Sequence, residues 1–266
     1  MQHRAATAAT VVGAVIGVLG GLIGLGGAEF RLPLLVGFFA HPLRRAIGMN
    51  LAVSLVTVLA ALAGRLAAGS EALPAPWPLV GALMAGGVAG AYLGASWLIG
   101  ASSRGLWRGV RGLLAVIGGL LLAEAFLPWR SAGLVASPAT QAATAVVAGV
   151  AIGIVSSLLG VAGGELIIPT LVFGFGVDIK AAGTASLMIS VPIVLMGLWR
   201  QASSGLRPSA TELTALVLPM GAGSILGAVV GAMLVALVPG ASLKAVLGLA
   251  LIWSAARLGG HARAAV

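Results

Sequence analysis

Residues Gly24-Leu-Gly-Gly-Ala-Glu-Phe-Arg-Leu-Pro33 return later in the chain as Gly160-Val-Ala-Gly-Gly-Glu-Leu-Ile-Ile-Pro169. The register is kept far beyond that stretch. Gly17 falls on Gly153, Glu29 on Glu165, Ser54 on Ser190, Gly69 on Gly205, Met84 on Met220, Arg108 on Lys244 and Gly112 on Gly248. A constant displacement of 136 residues means two copies of one structural unit. Glycine-broken apolar segments at matching places in two copies are the sequence pattern of a secondary transporter's binding site. The first expectation is therefore a transport protein.

Composition supports a membrane setting. The chain is 60% hydrophobic and 8% charged, where a soluble domain of this length carries about a quarter charged residues. The net charge of +9 does not point to nucleic acid, because the arginines are scattered between apolar segments and form no basic face. Cysteine is absent, which excludes disulfides, thiolate metal sites and sulfur transfer through a cysteine. His3, His41 and His261 show no metal-ligand spacing, so neither a metal nor a cofactor is expected. No nucleophile, base and orienting group form a catalytic set, and the chain does not read as an enzyme. The basic start followed by the apolar run Ala5–Leu25 resembles a leader. Its repeat in Ala139–Leu159 argues that it belongs to the fold.

Apolar runs divide each copy into five segments. The first copy has Ala5–Leu25, Ala28–Ala40, Arg45–Ala68, Pro78–Ile99 and Trp107–Leu127. The second has Ala139–Leu159, Gly163–Phe175, Ala181–Arg200, Thr211–Leu237 and Leu243–Arg257. The expected fold is an all-α integral membrane protein. Its two repeats cover residues 1–127 and 139–266, and the linker 128–138 joins them. Most segments can span a bilayer, but the second of each copy cannot. Thirteen helical residues reach only about 20 Å, against a hydrocarbon core of about 30 Å.

An odd segment number inverts one copy relative to the other. With the amino terminus inside, cytoplasmic regions collect Arg4, Arg44, Arg45, Arg104, Arg108, Arg111, Arg200, Arg207, Arg257 and Arg263. The outer loops receive Arg65, Arg130, Lys180 and Lys244. That asymmetry fits the positive-inside rule and places both termini in the cytoplasm, with the linker outside. Gly86, Gly90 and Gly94 recur as Gly223, Gly227 and Gly231, a small-residue face suited to close helix packing in lipid.

The repeated motif carries the chemistry. Successive glycines resist helix, so each copy should break there and restart a short helix whose first N–H groups lack partners. Those ends carry partial positive charge and can hold an anion. Glu29 and Glu165 lie in the first turn. Each can cap that turn, or serve a substrate or a coupling proton, since buried acids in membranes are costly and usually functional. Pro33 and Pro169 free the carbonyls four residues earlier and should kink the short helices. Arg31 faces no acid on its own helix, because Glu29 is only two residues away. It calls for a partner across the bundle such as Glu165, for a bound anion, or for an escape to the interface. Asn50, Ser54, Thr184, Ser186 and Ser190 could add polar contacts, although hydroxyls in membrane helices commonly bond back to their own backbone.

The doubled Gly-x-Gly-Gly motif ending in proline, with Ala46-Ile-Gly-Met-Asn-Leu51 and Gly183-Thr-Ala-Ser-Leu187, resembles the sulfite exporter TauE/SafE family of bacterial membrane transporters. The resemblance implies export of sulfite, sulfonates or related anions across the cytoplasmic (inner) membrane. It also implies a substrate site at Gly26, Gly27, Glu29, Arg31, Asn50, Gly163, Gly164, Glu165 and Ser186. Ala28 and Ala162 depart from the family's glycine pattern. No ATP-binding P-loop is present, so transport would run on gradients. The partners are then a small anion and the lipid bilayer. A passive anion channel and a non-transporting membrane scaffold are the alternative functions.

Overall fold

The computed structural model describes residues 2–69, 75–97, 112, 115–116, 118–123, 125–126, 138–203, 205 and 208–264. Every secondary-structure element among them is helical. The first half contributes α1 (Gln2–Ile23), α2 (Ala28–Gly37), α3 (Leu43–Ala67) and α4 (Trp77–Trp97). The second contributes α5 (Pro138–Leu159), α6 (Gly164–Gly174), α7 (Ile179–Ser203), α8 (Ala210–Leu234) and α9 (Gly240–Ala264). The fifth expected segment, Trp107–Leu127, and the linker 128–138 lie largely outside the described residues, though 118–123 are helical. Six described helices are long and apolar enough to cross a membrane: α1, α3, α4, α5, α7 and α8.

The duplication is written into the backbone. α1 and α5 each have 22 residues, and α3 and α7 each have 25, with both pairs offset by the sequence displacement. The left-handed residues pair in the same way: Gly24 with Gly160, Gly27 with Gly163, Ala40 with Gly176 and Gly69 with Gly205. Left-handed backbone costs an L side chain about 1–2 kcal/mol. Ala40, at φ 54°, is the one place among these where a side chain bears that cost.

Contacts between the halves are reciprocal. α1 packs on α8 and α5 packs on α4, so the first long helix of each half lies against the fourth helix of the other. Likewise α3 packs on α8 and α7 on α4, while α3 and α7 pack on each other. Glycine makes the close crossings possible. A Cβ added to Gly17 would meet the Ser224 carbonyl, and one on Gly227 would meet that of Ala14. On the other side, Gly90 abuts the Val150 carbonyl and Gly153 that of Gly87. The glycine faces read from the sequence thus seat these helix pairs. Leucines, valines and tryptophans such as Leu226, Leu237, Val147 and Trp199 project outward, as an apolar solvent allows.

Three expectations change. α2 has ten residues, shorter than the thirteen assigned to Ala28–Ala40. α9 has 25, longer than Leu243–Arg257. Arg65, assigned to an outer loop, is instead in the last turn of α3 and 1% exposed. Its guanidinium donates to the carbonyls of Gly21, Leu22 and Lys180 and to Thr184 Oγ1, at 3.0–3.3 Å. The α1 carbonyls are end groups without helical partners, and a cation among them also meets the negative end of the helix dipole. Gly183 leaves room for it, since a Cβ there would stand 2.8 Å from Nη1.

Candidate functional site

The two motif loops meet at the centre of the bundle. Gly27 and Gly163 sit at the N-terminal boundaries of α2 and α6 with φ of 67° and 84°, so each loop turns into its short helix through a left-handed glycine. Pro33 lies within α2. Pro169 ends the regular α-helical part of α6, and residues 170–174 continue as a wider π turn.

Equivalent positions touch each other across the loops. A Cβ on Gly26 would stand 2.5 Å from the Cβ of Ala162, its counterpart in the other half. Gly24 abuts Gly183 while Gly160 abuts Ile47, again equivalent partners exchanged. Ala162, where the family pattern has glycine, fits because Gly26 faces it.

Glu29 and Glu165 are equivalent positions of the two halves, and both are enclosed, 6% and 5% exposed. Neither oxygen of Glu29 has a hydrogen-bond partner among the described residues. No side chain caps α2 or α6.

Arg31 is fully buried and does not reach the interface. Nor does a carboxylate, Glu165 included, stand within ion-pair distance of it among the described residues. Its Nε donates to Asn50 Oδ1 at 3.3 Å, and Nη1 to Thr57 Oγ1 at 3.1 Å and Ser224 Oγ at 3.4 Å. Nη2 donates to Ser54 Oγ at 2.8 Å and to the Gly26 carbonyl. A guanidinium has five N–H donors, so neutral oxygens of the protein already engage each of them. Of the readings open for Arg31, a partner acid across the bundle is not met among the described residues, where this polar cage surrounds it.

Asn50 ties the cage to both loops. Its Nδ2 donates to the carbonyls of Ala28 at 2.9 Å and Gly160 at 3.0 Å. Ser54 and Thr57 pass their own hydrogens to the carbonyls of Asn50 and Val53, leaving oxygen lone pairs for Arg31. The equivalent of Asn50 in the second half is Ser186, wholly buried with its hydroxyl unpartnered. Gly164 lies beside that hydroxyl, which a Cβ would approach to 3.1 Å. Gly26, Gly27, Glu29, Arg31 and Asn50 are therefore assembled around one loop, and Gly163, Gly164, Glu165 and Ser186 around the other.

Thr57 and Ser224 escaped the sequence reading. Thr57 extends Asn50 and Ser54 along one face at helical spacing, a legible signal. Ser224 stands inside the glycine stripe of α8 and bonds the Gly13 carbonyl at 3.1 Å, and nothing local marked it. No group of three or more metal-binding side chains occurs among the described residues.

A polytopic helical protein with two reciprocal, glycine-broken short helices meeting at a buried polar centre belongs, by architecture, with the membrane transporters. The chain is a member of the sulfite exporter TauE/SafE family, whose model matches residues 9–258. No curated protein and no solved structure gives a match.

Proposed function

We propose that this protein is a secondary transporter that moves a small sulfur-containing oxyanion, sulfite or an organosulfonate, out across the cytoplasmic membrane. The family supplies the substrate class. The observation that carries the mechanism is the burial of Glu29, Glu165 and caged Arg31 where the two motif loops join, all at most 6% exposed. A centre enclosed on every side suits alternating access, in which one half moves against the other to open either face. A permanently open pore would keep such groups in water.

In this reading the repeats 1–127 and 139–266 lie inverted in the membrane around linker 128–138, with both termini cytoplasmic. The anion enters between the two loops, near Gly26, Gly27, Gly163 and Gly164, whose small size lets backbone approach it. Arg31 supplies the full positive charge. Its donors are occupied in this enclosed state, so an anion gains them by displacing the hydroxyls of Ser54, Thr57 or Ser224. Those hydroxyls keep their bonds to backbone carbonyls, which makes the exchange inexpensive. Asn50 holds the loop during it, and Ser186 offers an unused hydroxyl on the other side.

Purified protein in liposomes tests this. Labelled sulfite should exchange at a saturable rate, with sulfate, thiosulfate and methanesulfonate competing to different extents. Flux at channel rates without saturation would favour the passive pore, and no flux of any oxyanion would favour a scaffold.

A further inference from the structure

The two halves close the same kind of helix end by unequal means. At the end of α1 the Leu25 N–H turns back to the Gly20 carbonyl at 2.8 Å. That frees the Gly21 carbonyl, and Arg65 donates to it and to Leu22. The end of α5 makes the same turn. Val161 N–H donates to the Ser156 carbonyl at 3.0 Å, so Ser157, the counterpart of Gly21, loses its usual helical donor four residues on. In place of Arg65 stands Gln201. The charge is gone while the burial is kept. Gln201 and Ser157 are 3% and 1% exposed, and neither the amide nor the hydroxyl has a partner among the described residues. Both belong to one stretch of α7: the Ser157 hydroxyl lies 3.5 Å from where a Cβ of Gly197 would stand, one turn before Gln201. Arg200, the next cation, directs its guanidinium to Ser96, Ser203 and the Tyr92 ring.

We propose that a monovalent alkali cation, sodium or potassium, binds at this end of α5 in the role that the Arg65 guanidinium plays at the end of α1. Its ligands are the carbonyl and hydroxyl of Ser157, the Gln201 amide oxygen and water. A helix C-terminus carries partial negative charge, and carbonyls at such ends are the usual alkali-ion ligands of broken-helix transporters. Neutral oxygens alone suit a single charge, whereas a divalent ion calls for carboxylates. No group of three or more acidic, histidine or cysteine side chains occurs among the described residues. The same carbonyls repel an anion, so this is not a second station for the substrate. It lies about 22 Å along α7 from Ser186, separate from the anion centre. A bound ion joins α5 to α7, as Arg65 joins α1 to α3 and α7, and opening at that end requires its release.

The melting temperature of the purified protein reads the binding directly. Choline chloride is replaced stepwise by sodium chloride or by potassium chloride at constant ionic strength. At ten times its dissociation constant the bound ion should raise the melting temperature by about 3–6 °C, and the two series show which cation the site prefers. Gln201→Arg supplies the guanidinium of the other half. It should melt above the parent in choline and lose the response to either ion. Ser157→Ala removes one ligand, keeps the fold if Gln201→Arg does not, and should need about tenfold more salt for the same rise. Gln201→Leu should melt no lower than the parent in choline, and added cation should lift the parent above it. No rise when either ion replaces choline overturns the site. A parent-like response in Gln201→Arg, or in both Ser157→Ala and Gln201→Leu, overturns it as well. Sulfite exchange enters none of these measurements, so the cation site and the transport reading stand or fall separately.

Discussion

Arg65 and Gln201 occupy equivalent places in the two halves and should respond in opposite ways to the same substitution. Arg65 supplies donors to the terminal carbonyls of α1, Gly21 and Leu22. In Arg65→Leu those two oxygens lose the guanidinium in an apolar setting, at about 1–3 kcal/mol each. Lys180 keeps the bond from Thr184 Oγ1 at 3.3 Å, so it adds little. The expected cost is about 2–6 kcal/mol. At about 2–4 °C per kcal/mol for a chain of this size, the melting temperature in detergent should fall by at least about 4 °C. Gln201 is as deeply buried, 3% exposed, but neither its amide oxygen nor its nitrogen has a partner. Replacing an unpartnered buried amide with an apolar group is neutral or stabilising. Gln201→Leu should therefore melt at or above the parent temperature. Thermal unfolding followed by tryptophan fluorescence, with size-exclusion profiles before and after, measures both. The reasoning fails if Arg65→Leu melts within about 1 °C of the parent, or if Gln201→Leu loses as much as Arg65→Leu.

Glycine positions sort by what a methyl group would meet. Gly17→Ala and Gly90→Ala push a side chain into a carbonyl of the crossing helix and should sharply lower the yield of monodisperse protein. Gly81→Ala on α4 meets nothing within 4 Å and should gain about 0.5–1 kcal/mol in thermal unfolding. Gly27→Ala and Gly163→Ala force left-handed alanine, at about 1–2 kcal/mol each, and should lower the melting temperature and slow sulfite exchange together. Arg31→Lys keeps the charge but offers three donors to a cage built for five, and should weaken apparent sulfite affinity about tenfold while the protein still folds. Reporter fusions after Arg130 and Arg263 should report opposite sides of the membrane, and the same side for both would refute the inverted arrangement.

The repeat displacement was enough to anticipate which helices would match, because helix length and glycine placement are local properties. The ends of α5 and α7 follow from those of α1 and α3 by that displacement alone. The motif glycines were readable for the same reason, since a left-handed turn depends on the residue that makes it. Tertiary partners were not readable. Arg31 bonds Ser224 from 193 positions away, and no local rule joins an arginine in a short helix to a serine within a packing stripe. Arg65 misled the charge count because a cation near a helix end looks like a loop residue until the neighbouring carbonyls are seen. The charge asymmetry survives its removal from the outer group, which falls from four residues to three.

Duplication supplied a symmetric frame, and the differences between the halves are where function can reside. Arg31 answers to Ile167, Asn50 to Ser186, Thr57 to Ile193 and Arg65 to Gln201. In each pair the first half holds the larger hydrogen-bonding capacity and the second the smaller or none. Arg31 and Asn50 hold the first-half loop, and Asn50 also reaches the Gly160 carbonyl of the second, whereas Ser186 and Gln201 carry unpartnered polar atoms. Apart from the Glu29 carboxyl, the unmet buried polar groups of the described residues lie in the second half, at about 1–3 kcal/mol each, so its α7 side has more to gain from a rearrangement that hydrates or engages them. The end of α1 is clamped through Arg65, and the position equivalent to Arg65 in the second half holds Gln201, an uncharged residue. If the halves are inverted, these two positions lie on opposite sides of the membrane. The Gln201 side is then the one expected to loosen first. Hydrogen exchange on the empty protein would show faster amide turnover at the end of α5 than at the end of α1, and Gln201→Arg would slow it. Equal turnover at both ends would mean that the unmet groups do not bias the opening.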